Sequence, residues 1–354
     1  MSRFFSDKWA GLEPYVPGEQ PRGQKLIKLN TNENAYPPPR NVEEAIRAEW
    51  DRLQLYSDTE CTELREALAA RLDVKPAELM MGNGSDEILN FAFMAFCDAD
   101  RPAVFPDITY GFYKVFARIN CLPYQEIPLR DDWTVNLEKL AGSGGTVFLA
   151  NPNAPTGIAV AKAEIEKLLR SDRNRIVVVD EAYVDFGAES AVPLIHDYDN
   201  LIVTQTFSKS RSMAGARLGF CAADAALIAD LNAIRFSTNP YNVNRITQAA
   251  GTASLKNDGI NMENCRRIAE TRDWTAEELR KLGFELTDSS ANFLFARHPR
   301  IDGETLYRKL RERGILIRHF SLERIRDFNR ITTGTREQME ALVCAVREIL
   351  EAAE

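Results

Sequence analysis

The 354-residue sequence predicts an α/β fold: a large domain with a mostly parallel, mixed sheet between helices, joined to a smaller α+β domain. Three observations predict it. Short β-branched runs in the middle of the chain are apolar at consecutive positions, as strands buried on both faces are. Helical stretches with apolar residues at helical spacing separate several of these runs, the alternation expected of a parallel sheet. Near residue 240 the character changes to a long charged helical stretch followed by more short strands and helices.

In chain order, residues 63–72 place Leu64, Ala67, Leu68 and Leu72 on one helical face. Leu79-Met80-Met81 reads as a strand ended by Gly82-Asn83-Gly84, and Ser85 is the expected N-cap of an apolar helix running through Phe96. Further strands are expected at Ala103-Val104-Phe105, at 146–150, at Ile176-Val177-Val178-Val179 and at Leu201-Ile202-Val203-Thr204, with a helix over 162–170. One helical stretch is expected over about 244–282. Strands at Phe284-Glu285-Leu286, Phe293-Leu294-Phe295, Ile315-Leu316-Ile317 and Asn329-Arg330-Ile331 then interleave with helices over 303–313 and 336–353. The expected division is 40–240 for the large domain, and 1–39 with 241–354 for the small domain and its N-terminal segment.

The formal net charge of −8 argues against a general nucleic-acid binder, which carries a basic excess. No apolar run approaches the roughly 20 residues that span a bilayer. The first eight residues, Met1 to Lys8, lack the apolar stretch of a secretory signal. Six scattered cysteines without CxxC spacing read as free thiols in a reducing compartment, so the expected location is cytoplasmic. The three histidines, His196, His298 and His319, show no metal-ligand spacing, and no metal is expected.

In open α/β sheets ligands gather beyond the carboxyl ends of the strands, so the residues following each strand carry the chemistry. Gly84-Ser85-Asp86 opens a helix whose free N–H groups favour a phosphate, although a turn and capped helix would look the same. Asp180, at the end of a buried strand, is costly unless paired or used. Lys209 follows another strand among the hydroxyls of Thr206 and Ser208, with Arg217 eight residues later. A lone lysine in a serine-rich loop is ordinarily a solvated surface residue. Here several strand-end polar groups form one coherent set that suits a phosphate and a reactive amine.

Those residues, in the order Asn151-Pro152-Asn153-Ala154-Pro155-Thr156-Gly157, Asp180-Glu181-Ala182-Tyr183, Ser208-Lys209 and Gly215-Ala216-Arg217-Leu218-Gly219-Phe220, resemble the fold-type I, class I/II pyridoxal-phosphate-dependent aminotransferases. Within them the chain looks like the histidinol-phosphate aminotransferases, through Leu29-Asn30-Thr31-Asn32-Glu33-Asn34, Thr109-Tyr110-Gly111 and the run from Arg330 to Arg336. The resemblance implies pyridoxal 5′-phosphate as cofactor, with Lys209 forming the Schiff base and then shuttling the proton. It implies Asp180 at the pyridinium nitrogen, Tyr110 stacked on the ring and Tyr183 at the phenolic oxygen. Ser85, Asp86, Thr206, Ser208 and Arg217 would hold the phosphate, joined by Tyr56 from the second subunit of a homodimer. Many relatives carry Asn where this chain has Ala154. That leaves Tyr183 alone, or with a water or a shifted Asn153, to meet the cofactor oxygen.

For the substrate, the resemblance implies Arg330 and Arg318 at its anionic groups and Tyr15 closing over it; Asn32 and Asn292 are polar groups that could line the site or equally serve a turn. The implied reaction is amino transfer between L-histidinol phosphate and 2-oxoglutarate, or the reverse from glutamate and imidazole-acetol phosphate, by a ping-pong route through pyridoxamine phosphate. The partners are small-molecule amino donors and 2-oxo acid acceptors. Aromatic amino-acid aminotransferases and L-threonine-O-3-phosphate decarboxylase share the scaffold. A non-catalytic binding module has no evident use for Lys209 poised beside Asp180.

Overall fold

The computed structural model describes residues 2–9, 11–15, 17–20 and 26–352. A two-residue strand, β1 (Ile27–Lys28), comes first. Seven strands then build the large sheet: β2 (Leu79–Gly82), β3 (Ala103–Pro106), β4 (Tyr124–Ile127), β5 (Thr146–Ala150), β6 (Val177–Asp180), β7 (Leu201–Thr206) and β8 (Gly219–Ala223). The C-terminal part adds β9 (Glu285–Leu286), β10 (Phe293–Arg297), β11 (Ile315–Leu316), β12 (Arg318–His319) and β13 (Asn329–Thr332).

The large sheet has the order β2-β8-β7-β6-β5-β3-β4, and β8 alone runs antiparallel to its neighbours. Apart from the edge strand β4, its strands are buried on both faces because their side chains alternate between two cores. Val177, Val179, Leu201 and Val203 join one core with Leu64, Leu168 and Leu169. Val178 and Ile202 face the other, with Phe91, Phe93, Phe116 and Ile228. The reversal of β8 has a consequence for the site: its N-terminal end lies at the same edge as the carboxyl ends of β2 and β7.

A four-stranded antiparallel sheet, β12-β13-β10-β9, packs with the helices Asp258–Lys281, Gly303–Glu312 and Arg336–Glu351 around Leu294, Ile331, Leu310 and Leu342. Strands β1 and β11 pair in parallel, and Leu29 enters this same core, so residues just after the N-terminal segment are tied to the C-terminal half.

Three expectations shift. The helix after β2 is capped by Gly84, at φ +79, rather than by Ser85, which is its first residue in Ser85–Phe96. The stretch expected as one helix over 244–282 is two, Arg245–Lys256 and Asp258–Lys281, broken at Asn257. The first of these packs on the large-sheet core through Ala250 and Ala253, although it lies beyond residue 240. Strands β4 and β8 had no strong alternation to announce them: β4 is a partly exposed edge, and β8 is rich in alanine and glycine. No described helix is long and apolar enough to cross a membrane. The six cysteines form no disulfides.

Candidate active site

The carboxyl ends of β2, β3, β5, β6 and β7 and the start of β8 converge on a cavity of about 530 Å³. Of the residues expected in the site, the cavity is lined by Tyr15, Asn32, Ser85, Asp86, Tyr110, Asp180, Tyr183, Thr206, Ser208, Lys209, Arg217, Arg318 and Arg330, along with Ala154. They come from positions as far apart as 15 and 330, so the sheet edge, and not sequence proximity, assembles them.

One end of the cavity is built for an anion. Gly84 turns the chain into the helix Ser85–Phe96, leaving the first N–H groups of that helix without intrahelical partners. Arg217 reaches this end from the start of β8 and bonds Ser208 Oγ at 3.3 Å and Asp86 Oδ2 at 3.1 Å. Thr206 and Ser208 hydroxyls lie 3.0 Å apart beside it. Gly84 is required here: a Cβ would sit 2.5 Å from Arg217 Nη2, and its φ of +79 disfavours any other residue. The Asp86 carboxylate is committed to Arg217 and to the Tyr110 hydroxyl, at 2.6 Å, so its contribution to an anion is its backbone N–H.

The middle of the cavity holds Asp180 and Lys209. Asp180 is buried at the end of β6, and burial pushes its carboxyl up to about 6. Tyr113 donates to Asp180 Oδ2 at 3.1 Å and opposes that rise. Lys209 follows β7; its Nζ donates to Thr31 O at 3.1 Å and lies 5.9 Å from the centre of the Tyr183 ring. Burial lowers its ammonium to about 8, with the Arg330 and Arg217 charges acting the same way and Glu33 and Asp86 opposing. An amine with a lowered pKa is one that can serve as nucleophile and base near neutrality.

The outer end carries two arginines. Antiparallel pairing places Arg318 on β12 directly opposite Arg330 on β13. Like charges in that register repel, and a shared anion relieves the repulsion. Arg330 donates to Asn30 O at 3.0 Å, its Nε has no partner, and burial lowers its affinity for its proton. The N-terminal segment lies across this end. Trp9 donates to Ile119 O, Glu13 pairs with Arg118, the Tyr15 ring packs at a tilt against Phe112 with centroids 4.2 Å apart, and Glu19 pairs with Arg311.

Three expected residues fall outside the cavity. Asn153 does not line it, because its amide is consumed by the surrounding turn: it donates to Ile108 O and Thr156 Oγ1 and accepts from Thr109 Oγ1. The alternative in which Asn153 shifts to make up for Ala154 is therefore not adopted. Tyr56 stacks on Tyr241 at 4.3 Å, remains 78% exposed, and lies outside this chain's own cavity. Asn292 does not line the cavity; it donates to Asn32 O. Tyr113 and Thr31 were not anticipated. Tyr113 sits in an apolar helical run like any core aromatic, and Thr31 acts through its carbonyl, which has no sequence signature.

The sequence profile of aminotransferase class I and II matches residues 24–346. The chain belongs to the class I and II aminotransferases. Among its relatives in that family, histidinol-phosphate aminotransferase of Acetobacter pasteurianus is 48% identical over 351 residues, covering 99% of each chain. Histidinol-phosphate aminotransferase 1 of Bradyrhizobium diazoefficiens is 47% identical over 350 residues, 99% of this chain and all of that one. The crystal structure of histidinol-phosphate aminotransferase from Sinorhizobium meliloti, in complex with pyridoxal 5′-phosphate, superposes with a TM-score of 0.86. It is 25% identical and covers 94% of this chain and 93% of that one. The mixed seven-stranded sheet with its cavity at the carboxyl edge is thus this aminotransferase family's fold. No group of three or more His, Cys, Asp or Glu among the described residues could hold a metal.

Proposed function

We propose that this chain is a histidinol-phosphate aminotransferase, moving an amino group between L-histidinol phosphate and 2-oxoglutarate with pyridoxal phosphate as cofactor. The observation that carries the proposal is the spacing of charge along one cavity: an anion end at Ser85 and Arg217, Lys209 with Asp180 in the middle, and the cross-strand pair Arg318 and Arg330 beyond. A substrate bearing its own phosphate or carboxylate needs that second anion site. Relatives at 46–48% identity over nearly the full length carry the same name.

When bound, pyridoxal phosphate supplies a carbonyl carbon to carry the amino group and a ring to accept the electron pair released at the substrate carbon. This chain's residues do the rest. The N-terminus of the helix Ser85–Phe96, Thr206, Ser208 and Arg217 would hold the phosphate, Tyr110 would lie against the ring, and Asp180 would accept from the ring N–H. The Lys209 amine takes the proton from the substrate carbon and returns it on the far side of the transfer. Arg330 and Arg318 hold the substrate's anion, and Tyr15 shields it from water.

The active form in this reading is a cytosolic homodimer. Trp50 (72% exposed), Leu53, Leu55 and Tyr56 leave an apolar strip uncovered beside Tyr241, suited to a second copy that would receive Tyr56 at its phosphate. We take 40–240 as the core of the cofactor domain, extend it to Asn257 because Arg245–Lys256 packs on it, and assign the rest to the small domain.

The test is a panel of half-reactions. The cofactor-loaded protein is mixed separately with histidinol phosphate, glutamate, phenylalanine and threonine phosphate, and the visible absorbance followed. Rapid bleaching by histidinol phosphate and glutamate is expected. Bleaching by phenylalanine but not histidinol phosphate, or carbon dioxide release from threonine phosphate, would replace the proposal.

A further inference from the structure

Every polar atom of the buried Asn32 has a recorded partner, and together they fix which way its amide points. The residue sits at φ +55, a left-handed conformation that asparagine tolerates better than most. Its backbone N–H donates to Thr332 Oγ1 at 2.9 Å. The single hydroxyl proton of Thr332 is therefore given elsewhere, and it goes to Asn32 Oδ1 at 3.0 Å. With Oδ1 facing Thr332, the amide nitrogen faces Tyr183 and donates to its Oη at 3.0 Å. Asn292 holds the Asn32 carbonyl from behind, also at 3.0 Å.

The consequence falls on Tyr183. Because its oxygen accepts from Asn32, its own proton is directed away from Asn32, and Tyr183 lines the cavity. No side-chain amide on the Asn151–Pro155 turn can do the same work: Ala154 presents only a methyl group there, the Asn153 amide bonds Ile108 O and Thr156 Oγ1, and the Asn151 amide is paired with the Val160 backbone. Strand β13 supplies the anchor, since Thr332 and Arg330 lie two residues apart on the face turned from the Ile331 core.

We propose that Asn32 is a positioning residue rather than a substrate ligand. It holds Tyr183 as the acceptor of its amide, so that the Tyr183 hydroxyl presents its proton to the phenolic oxygen of the bound cofactor. Asn32 thereby does, from the N-terminal side and through Tyr183, what the side chain at Ala154 cannot. The inference rests on the cofactor reading above.

The experiment uses the cofactor-loaded protein and reads the pH dependence of its visible absorbance, together with the dissociation constant of pyridoxal phosphate from the resolved protein. A donor to an anionic oxygen stabilises that anion, so its loss makes the neighbouring proton harder to remove. Asn32→Ala is expected to raise the apparent pKa by about 0.5–1 unit and to weaken cofactor binding severalfold. Asn32→Asp, which keeps the side-chain volume but offers an acceptor to Tyr183, is expected to shift the pKa further in the same direction. In a Tyr183→Phe background Asn32→Ala should add nothing, because its effect is transmitted through the hydroxyl. A wild-type pKa in both Asn32 variants, or an undiminished Asn32→Ala shift in Tyr183→Phe, overturns the proposal. Should the wild-type protein develop no visible band at all, the cofactor reading itself fails and the role of Asn32 falls with it; a normal band with no shift removes Asn32 alone.

Discussion

The Tyr113 hydroxyl donates to Asp180 Oδ2 at 3.1 Å across 67 positions of sequence, from the helix Phe112–Ile119 to the end of β6. Both side chains are buried, and Thr204 Oγ1 lies 3.4 Å from the other carboxylate oxygen. Tyr113 thus stabilises the ionised form against a burial penalty that holds the carboxyl near 6. Tyr113→Phe keeps the ring packed among Phe93, Phe105 and Phe148 and removes only this bond. A hydrogen bond to a charged group is worth roughly 1.5–3 kcal/mol, so cofactor affinity at neutral pH should fall roughly tenfold or more. The acid limb of the activity profile should move to higher pH, since Asp180 would then ionise later. An unmoved acid limb would show that Tyr113 is merely core.

Gly84→Ala addresses the anion end. The added methyl would meet the Arg217 guanidinium and strain a left-handed backbone position at the same time. Arg217 would be pushed from Ser208 and Asp86, and the helix N-terminus would tilt. Loss of cofactor binding by one to two orders of magnitude is expected, on the order of 1.5–3 kcal/mol for a displaced charge-assisted contact. Equilibrium dialysis against pyridoxal phosphate measures it; binding within a factor of two of wild type would mean the phosphate sits elsewhere.

Arg330→Lys keeps a charge but loses the planar fork. Arg318 lies directly across the strands and both residues line the cavity; in the proposed site the two guanidinium groups share one anion, and a point charge on a shorter reach cannot take both substrate oxygens. KM for the anionic substrate should rise roughly tenfold to a hundredfold with a smaller change in kcat, because the contact exists in ground and transition states alike. A drop in kcat at unchanged KM would instead place Arg330 in the chemical step.

How far the sequence foretold these features depends on what each one looks like along the chain. Strands β5, β6 and β7 were legible because parallel strands buried on both faces are runs of apolar residues, and the polar groups just after them stand out by contrast. Lys209 and Asp180 were legible for that reason, and Arg217 through its place in the motif that follows Lys209. The edge strand β4 was not, since Tyr124–Ile127 alternates weakly and owes its place to pairing with β3. Tyr113 was hidden among aromatic core residues, its hydroxyl given meaning only by a carboxylate 67 positions away. The direction of the Asn32 amide is set by Thr332, 300 residues on, and no local pattern could encode it. Asn153 misled because its motif names it, while the turn it belongs to uses up its amide.

Lys209 gives a prediction that needs no substrate. Burial and the arginine charges lower its ammonium from 10.5 to about 8, so the cofactor-free folded protein is penalised for holding that proton. The penalty is fully present below pH 8, where the lysine is charged in both folded and unfolded chains. Above pH 8 the folded form is neutral, and the penalty shrinks until the unfolded chain also loses its proton near 10.5. Lys209→Met, similar in length and uncharged, should therefore stabilise the cofactor-free protein at pH 6–8, by roughly 1–3 kcal/mol after allowing for partial solvation and the lost bond to Thr31. The gain should diminish steadily between pH 8 and pH 10. Thermal or urea denaturation of both proteins across pH 6–10 checks this. A destabilised Lys209→Met at pH 7, or a difference that does not change with pH, would mean that the amine sits comfortably charged and is not poised for proton transfer.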